Sequence, residues 1–297
     1  VSETDRLRRF LFEDAPVRGH WVHLSRAWIE ARAHQQLPPE VRNLLGEALA
    51  ATVLLSASLK FTGTMTLQLG GSSGPVSMLV AQATDTRTLR GVAQVREGAA
   101  TAGLPFGRLV QGGRLVVSVE QGEHAPAWQG VVPLDEDGLG RCLESYFAAS
   151  EQLPTAIALA ANEFSAAGLL LQKMPAAEGE ARGAETLDLW EEVAAMMATV
   201  GASDLLACLP EQLLGRLFGT HSIRLFDAEP VRFACRCDRQ RVAAMLRGLG
   251  REDVEALVAE QGEVVVTCEF CRKPYRFDAV DAAELFLPVS QGNSSVN

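Results

Sequence analysis

Between Phe61 and Leu69, apolar residues alternate with Thr62, Thr64, Thr66 and Gln68, the period of a strand with one buried face. Gly70-Gly-Ser-Ser-Gly74 then predicts a tight turn and Val76 to Ala81 a returning strand, hence a hairpin. Val17 to Leu24, Leu115 to Val119 and Gly130 to Leu134 read as further strands. Elsewhere the period changes. Glu40 to Leu59 follows Pro38-Pro39 and is apolar nearly throughout, which predicts a core helix with proline at its start. Leu139, Cys142, Leu143, Tyr146 and Phe147 fall on one helical stripe. Strands mixed with helices, without regular βαβ alternation, predict an α+β fold with a mixed α/β core over residues 1–175.

The pattern shifts near Met174. Residues 175–184 are small and polar, as in a linker. Leu189, Val193, Met196 and Val200 then form a helical stripe, widened by Leu187, Trp190 and Met197. A short helix after Pro210 is expected to bury Leu213, Leu214, Leu217 and Phe218. Ten acidic residues against three arginines over 175–230 place most of the chain's net charge of −10 here. Acidic outside, apolar inside and too short for a core of its own, this helical linker (176–230) must dock on a neighbour to stay folded.

A third unit is expected over residues 231–290, followed by a polar tail, 291–297. Cys235 and Cys237 precede a helix capped by Asp238, with Val242, Met245 and Leu246 inward. A helix near Glu252 to Glu260 turns Val254, Leu257 and Val258 inward, and Val264–Val266 and Pro274–Phe277 read as paired strands.

Composition narrows the function. A chain that is 47% hydrophobic and 22% charged has a globular balance. Its 27 basic against 37 acidic residues argue against a surface built to neutralise phosphates. Nine cations against ten acids over 231–297 give no basic footprint for the alternative of a nucleic-acid-binding zinc ribbon. No apolar run reaches the roughly 18 residues of a membrane helix, and Val1–Arg6 is too polar for a signal peptide. A soluble cytoplasmic protein, bound neither to membrane nor to nucleic acid, is the expectation.

Six cysteines are too few for a disulfide-built scaffold. Four of them form Cys235-x-Cys237 and Cys268-x-x-Cys271, two close pairs that in a reducing compartment point to one tetrahedral Zn²⁺. Four protein ligands leave no open position, so the site is structural rather than catalytic. Arg236, Arg239, Arg272 and Lys273 lie within two residues of a ligand, where they can offset the formal −2 of such a site.

The spacing also suggests a switch. A metal ties together two segments about thirty residues apart in sequence, whereas oxidation most easily pairs each cysteine with its near neighbour, in rings too small to fasten the unit. Zinc contributes on the order of 10–16 kcal/mol of apparent folding free energy in small zinc domains, so its exchange for two local rings unfolds the unit.

Other motifs have plainer readings. Gly70-x-Ser72-x-Gly74 matches a hydrolase elbow in letters, but Pro75 and a strand follow where a helix is required, so Ser72 is expected in a turn. His20 and His23 point to opposite faces of their strand and do not form a metal pair. Cys142 and Cys208 sit among leucines as small apolar residues, and Met196 and Met197 as core packing or a plastic client surface. No enzymatic site is expected.

The cysteine order, together with Tyr146-Phe-Ala-Ala-Ser-Glu-Gln-Leu-Pro-Thr155, Gly112-Gly-Arg-Leu and Glu229-Pro-Val-Arg-Phe-Ala-Cys-Arg-Cys237, resembles the heat-shock protein 33 family of redox-regulated chaperones along essentially the whole chain. The resemblance implies a reduced, zinc-bound, weakly active form. Oxidation would form Cys235–Cys237 and Cys268–Cys271 disulfides, expel zinc, and unfold the zinc domain and linker. The oxidised protein would dimerise, hold unfolding client proteins without ATP, and later hand them to ATP-driven chaperones.

Overall fold

The computed structural model describes residues 5–120, 128–175 and 184–287, with the backbone alone for 184–188. The expected tail at 291–297, most of the small polar stretch at 175–184 and the Leu187 side chain lie outside what is described.

Strands β1 (Arg6–Phe12) and β2 (Val17–Leu24) lead to helices α1 (Arg26–Arg32) and α2 (Pro39–Ser58). Next come β3 (Thr64–Gly70), β4 (Val76–Thr84), β5 (Thr88–Val95), a short α3 (Phe106–Leu109), β6 (Arg114–Glu120) and β7 (Trp128–Val132). Helix α4 (Leu139–Tyr146) widens into a π-type turn at Phe147–Glu151 before β8 (Thr155–Ala161) and β9 (Ala166–Lys173). Helices α5 (Ala184–Met197), α6 (Ala202–Ala207) and α7 (Pro210–Phe218) precede short strands β10 (Ile223–Leu225), β11 (Glu229–Pro230) and β12 (Arg232–Phe233). The remainder comprises α8 (Arg239–Leu249), α9 (Arg251–Gln261), β13 (Val264–Thr267), β14 (Pro274–Phe277) and α10 (Ala279–Leu285). The chain divides into two compact units between Ala234 and Cys235.

In the first unit, one sheet has the order β10-β1-β2-β9-β8, with β11 also on β1, and the other β12-β5-β4-β3-β6-β7. Helix α2 packs on both sheets, contacting β2, β8 and β9 of the first and β3, β4 and β5 of the second. This is why Leu44, Leu45, Leu49, Val53, Leu54 and Leu55 are buried around its whole circumference. Pro39 starts it without wasting a backbone donor. At its end, Arg87 and Arg18 donate to the Ser56 and Ser58 carbonyls at 3.2 and 3.1 Å, placing positive charge at the negative pole of the helix.

The sheet built on β1 is apolar on both faces. Val22 and Leu24 join the α2 core, whereas Phe10, Phe12, Val17, Trp21, Leu169 and Leu171 join a second core. That second face is roofed by Val193, Met197, Leu205, Leu213, Leu214 and Phe218 of α5–α7. The acidic segment is thus a lid on a hydrophobic sheet. The helix expected after Pro210 is α7, with Leu213, Leu214 and Phe218 buried and Leu217 partly so. Beyond it, β10 and β11 pair with β1 while β12 runs parallel to β5, so residues 223–233 are stitched into both sheets of the first unit.

The hairpin expected around 70–74 is present as β3–β4, its first strand starting at Thr64 rather than Phe61. Strands β1, β5, β8 and β9 carry no clear alternation. β9 is buried at seven successive positions because both its faces are covered, which removes the period-two signal.

Candidate metal centre

The second unit is small. Its core is Ala243, Leu246, Val254, Val264, Tyr275, Phe277, Ala282 and Leu285, with Cys237 and Cys268 packed against it. Asp238 caps α8 by accepting from the Arg241 backbone N–H at 2.8 Å, as its position before the helical stripe predicts. Asp278 caps α10 from both Val280 and Asp281 backbone N–H groups. Met245, expected inward, is 49% exposed; the α8 stripe is turned so that Ala243 and Leu246 face the core instead.

Hairpin β13–β14 presents one cysteine pair. Its register, Thr267 opposite Pro274, leaves 268–273 as the turn. The turn is closed by Cys268 N–H to the Lys273 carbonyl at 3.0 Å and Arg272 N–H to the Cys268 carbonyl at 2.8 Å. Arg272 adopts a left-handed φ of 56° to complete it. The other pair lies on the extended segment entering α8.

All four Sγ atoms lie within 4.8 Å of one another. Cys235 and Cys237 are 3.3 Å apart, Cys237 and Cys271 3.3 Å, and Cys235 and Cys268 3.6 Å. Zn–S bonds of about 2.3 Å in a tetrahedron require sulfurs about 3.8 Å apart, so the cage has the right size. Its donors are soft and half-buried. Burial first, then contacts with Cys237, Cys235 and Cys268, push the Cys271 thiol up to about 12, against the pull of the Lys273 backbone N–H. With protein groups alone Cys271 keeps its proton; a divalent cation is the charge that would let four thiolates share this space.

The sequence reading missed one neighbour. Tyr275 donates its hydroxyl to Cys237 Sγ at 3.2 Å, and this bond above all raises its own pKa. Its signal was the β14 alternation, which puts Tyr275 and Phe277 inward. Of the nearby cations, Arg239 is engaged away from the sulfurs. Arg239 lies 4.3 Å from the Phe277 ring centroid, donates to the Arg276 carbonyl at 2.7 Å and pairs with Asp281 at 2.6 Å. It braces α8 against β14 and α10. Lys273 sits 5.3 Å from the Tyr275 ring centroid.

The remaining candidates stand apart from this cluster. His20 is buried, 3.5 Å from Ser58 Oγ, and burial followed by Arg18, Arg9 and Arg87 lowers its pKa to about 3. His23 faces the other side of β2 and contacts the Leu206 carbonyl at 3.2 Å. Ser72 Oγ donates to the Gln111 carbonyl at 3.2 Å and accepts from Gly74 N–H at 2.9 Å, a turn-closing role. Cys142 is buried in the α2 core, and Cys208 is partly buried beside the linker-roofed core. Met197 is buried and Met196 partly so in that same core. Among the described residues, no helix is long and apolar enough to cross a membrane.

Fold and site define an α+β protein of two units, the smaller carrying a four-cysteine cluster able to hold a metal ion. Residues 5–278 match the family described as Hsp33 protein. The 33 kDa chaperonin of Nitrosococcus oceani is 42% identical over 289 residues, covering 96% of each chain. That of Chromobacterium violaceum is 40% identical over 288, covering 96% of this chain and 95% of its own. The crystal structure of the 33 kDa chaperonin from Thermotoga maritima superposes with a TM-score of 0.79 at 22% identity, covering 95% of this chain and 97% of that one. This chain belongs to the Hsp33 family, a family of chaperones.

Proposed function

We propose that the protein is a redox-regulated, ATP-independent holdase. The observation that carries this reading is the gathering of Cys235, Cys237, Cys268 and Cys271, from two distant segments, into one cage within a unit of few core residues. Zinc held there would tie the two segments together and keep all four sulfurs as thiolates.

Oxidation acts on the sulfurs. Each disulfide, Cys235–Cys237 and Cys268–Cys271, forms as two thiolates give up two electrons; one peroxide accepts them, takes two protons from solvent and leaves as two waters. Disulfide sulfurs are poor metal ligands, so the oxidised cage would no longer hold zinc, and neither small ring links the segments. The second unit then unfolds. The acidic lid α5–α7 follows, and the sheet face bearing Phe10, Phe12, Trp21 and Leu171 becomes available to the apolar segments of unfolding clients. The oxidised form dimerises, and reduction passes the client to ATP-driven chaperones. A cytoplasmic site of action is consistent with this cycle, because that compartment keeps the resting thiols reduced.

Peroxide treatment is the direct test. It should release about one zinc per chain, consume the four thiols, and suppress aggregation of a thermally unfolding client protein. Equal suppression by the reduced form would reject the redox control, and an absence of suppression in both forms would reject the holdase.

A further inference from the structure

Beneath the lid lies a cavity of about 760 Å³. On one side it is bounded by α4 and the edge strand β8, and on the other by Trp190, Met197 and Leu205 of the lid. Phe106, Leu139 and Ile157 give it apolar walls. Into this space α2 contributes Glu47, the one charged residue in the stretch of that helix from Leu44 to Ser58.

Glu47 retains some accessible surface because the cavity is open, yet protein surrounds its carboxyl on nearly all sides. Among the described residues, no hydrogen bond or ion pair reaches it, and burial pushes its pKa up to about 7. The other acids of the cavity differ. Glu144 is satisfied by Arg141 at 2.9 Å and by the Ile157 backbone N–H at 2.7 Å. Asp137 is exposed and adds negative potential. An enclosed carboxylate without a partner is costly, and the cost is relieved either by a proton or by a cation able to shed its water against apolar walls. Lysine and arginine side chains have that shape: a charged head on a methylene stem.

The geometry points to a subsite for a lysine or arginine side chain carried on an extended apolar client segment, its cation pairing with Glu47 and its stem lying along Phe106, Leu139 and Ile157. The inference rests on the holdase reading for the source of the ligand. It also explains access: Glu47 and these three walls belong to the core, while the opposite wall belongs to the lid and withdraws when the lid undocks. Clients would then be chosen by apolar stretches that also carry basic residues, which suits an acidic chaperone.

The test uses the full chain after peroxide oxidation and three labelled peptides: a short apolar peptide with a central lysine, and its norleucine and glutamate counterparts. Fluorescence anisotropy should give about tenfold tighter binding for lysine than for norleucine, with glutamate weakest. In Glu47→Gln the lysine and norleucine affinities should converge, whereas Glu47→Asp, which keeps the charge, should retain the preference. Equal affinities in the parent protein, or an undiminished lysine preference in Glu47→Gln, would overturn the subsite. Client aggregation measured alongside separates this from the broader reading. Suppression without lysine preference sinks the subsite alone; lysine preference without suppression sinks the holdase alone.

Discussion

Tyr275 shows how one side chain outside the ligand set can tune a thiol site. Its hydroxyl is a neutral donor 3.2 Å from Cys237 Sγ, and a thiolate holds its charge more readily with such a donor. Tyr275→Phe keeps the ring in the core and removes the donor. Zinc affinity, measured by chelator competition, should fall about tenfold or more, with far-UV circular dichroism unchanged. Gly19 illustrates the opposite constraint, one of space. It pairs with Phe10 across β1 and β2, and a Cβ there would clash with the outer atoms of the Phe10 ring. Gly19→Ala should cost about 1–3 kcal/mol in urea unfolding.

Glu47 and His20 give the first unit two opposed pH dependences. Glu47 has its folded pKa raised from 4.5 to about 7 by burial, so its destabilisation is absent at acid pH, grows as the pH rises past 4.5 and is complete above about 7. His20 has its pKa lowered from 6.5 to about 3. The folded state therefore loses stability as the pH falls from 6.5 towards 3. Glu47→Gln should be more stable than the parent at pH 7.5, and that advantage should vanish by about pH 4.5. Denaturant midpoints at several pH values would show it; an advantage that grew on acidification would contradict the assignment.

At the level of elements, the sheet built on β1 divides the first unit's two cores, because both its faces are buried under different partners. On one side α2 is continuous with the main core. On the other, α5–α7 are short, acidic and held chiefly by apolar contact with the strands. Leu213 is fully buried in that contact. Leu213→Asp should cost more than about 3 kcal/mol of lid docking, leaving the four thiols untouched. The reduced variant should bind a hydrophobic dye, become sensitive to protease within α5–α7 and hold clients without oxidant. If it stayed silent until peroxide was added, undocking of the lid would not be the activating event.

At the level of the whole molecule, the two units differ in what keeps them folded. The first has two sheets around a central helix. Among the described residues, the second gathers a core of eight buried side chains and the cysteine cage. Chelation of the metal, or Cys268→Ser, should therefore abolish protease resistance over 239–285 while the strand signal of the first unit persists. Retained resistance would mean that the small core suffices unaided.

Periodicity and spacing made several features legible directly. The 3.6-residue stripes placed α4 and α7, the proline pair marked the start of α2, and Asp238 announced α8. The two cysteine pairs identified the cage before any geometry, because short-range spacing alone lets two sulfurs converge on one point. What the chain could not disclose by itself were facts of juxtaposition. Burial on both faces erased the alternation of β9, and charged residues interrupted that of β1. Residues 223–233 became sheet strands only because β1 and β5 offered free edges. Tyr275 reached Cys237, and Glu47 entered a cavity under the lid, because separate elements happened to meet there. Local sequence sets which face of an element is apolar; only tertiary packing decides what covers it, and in this protein the covering is the proposed control.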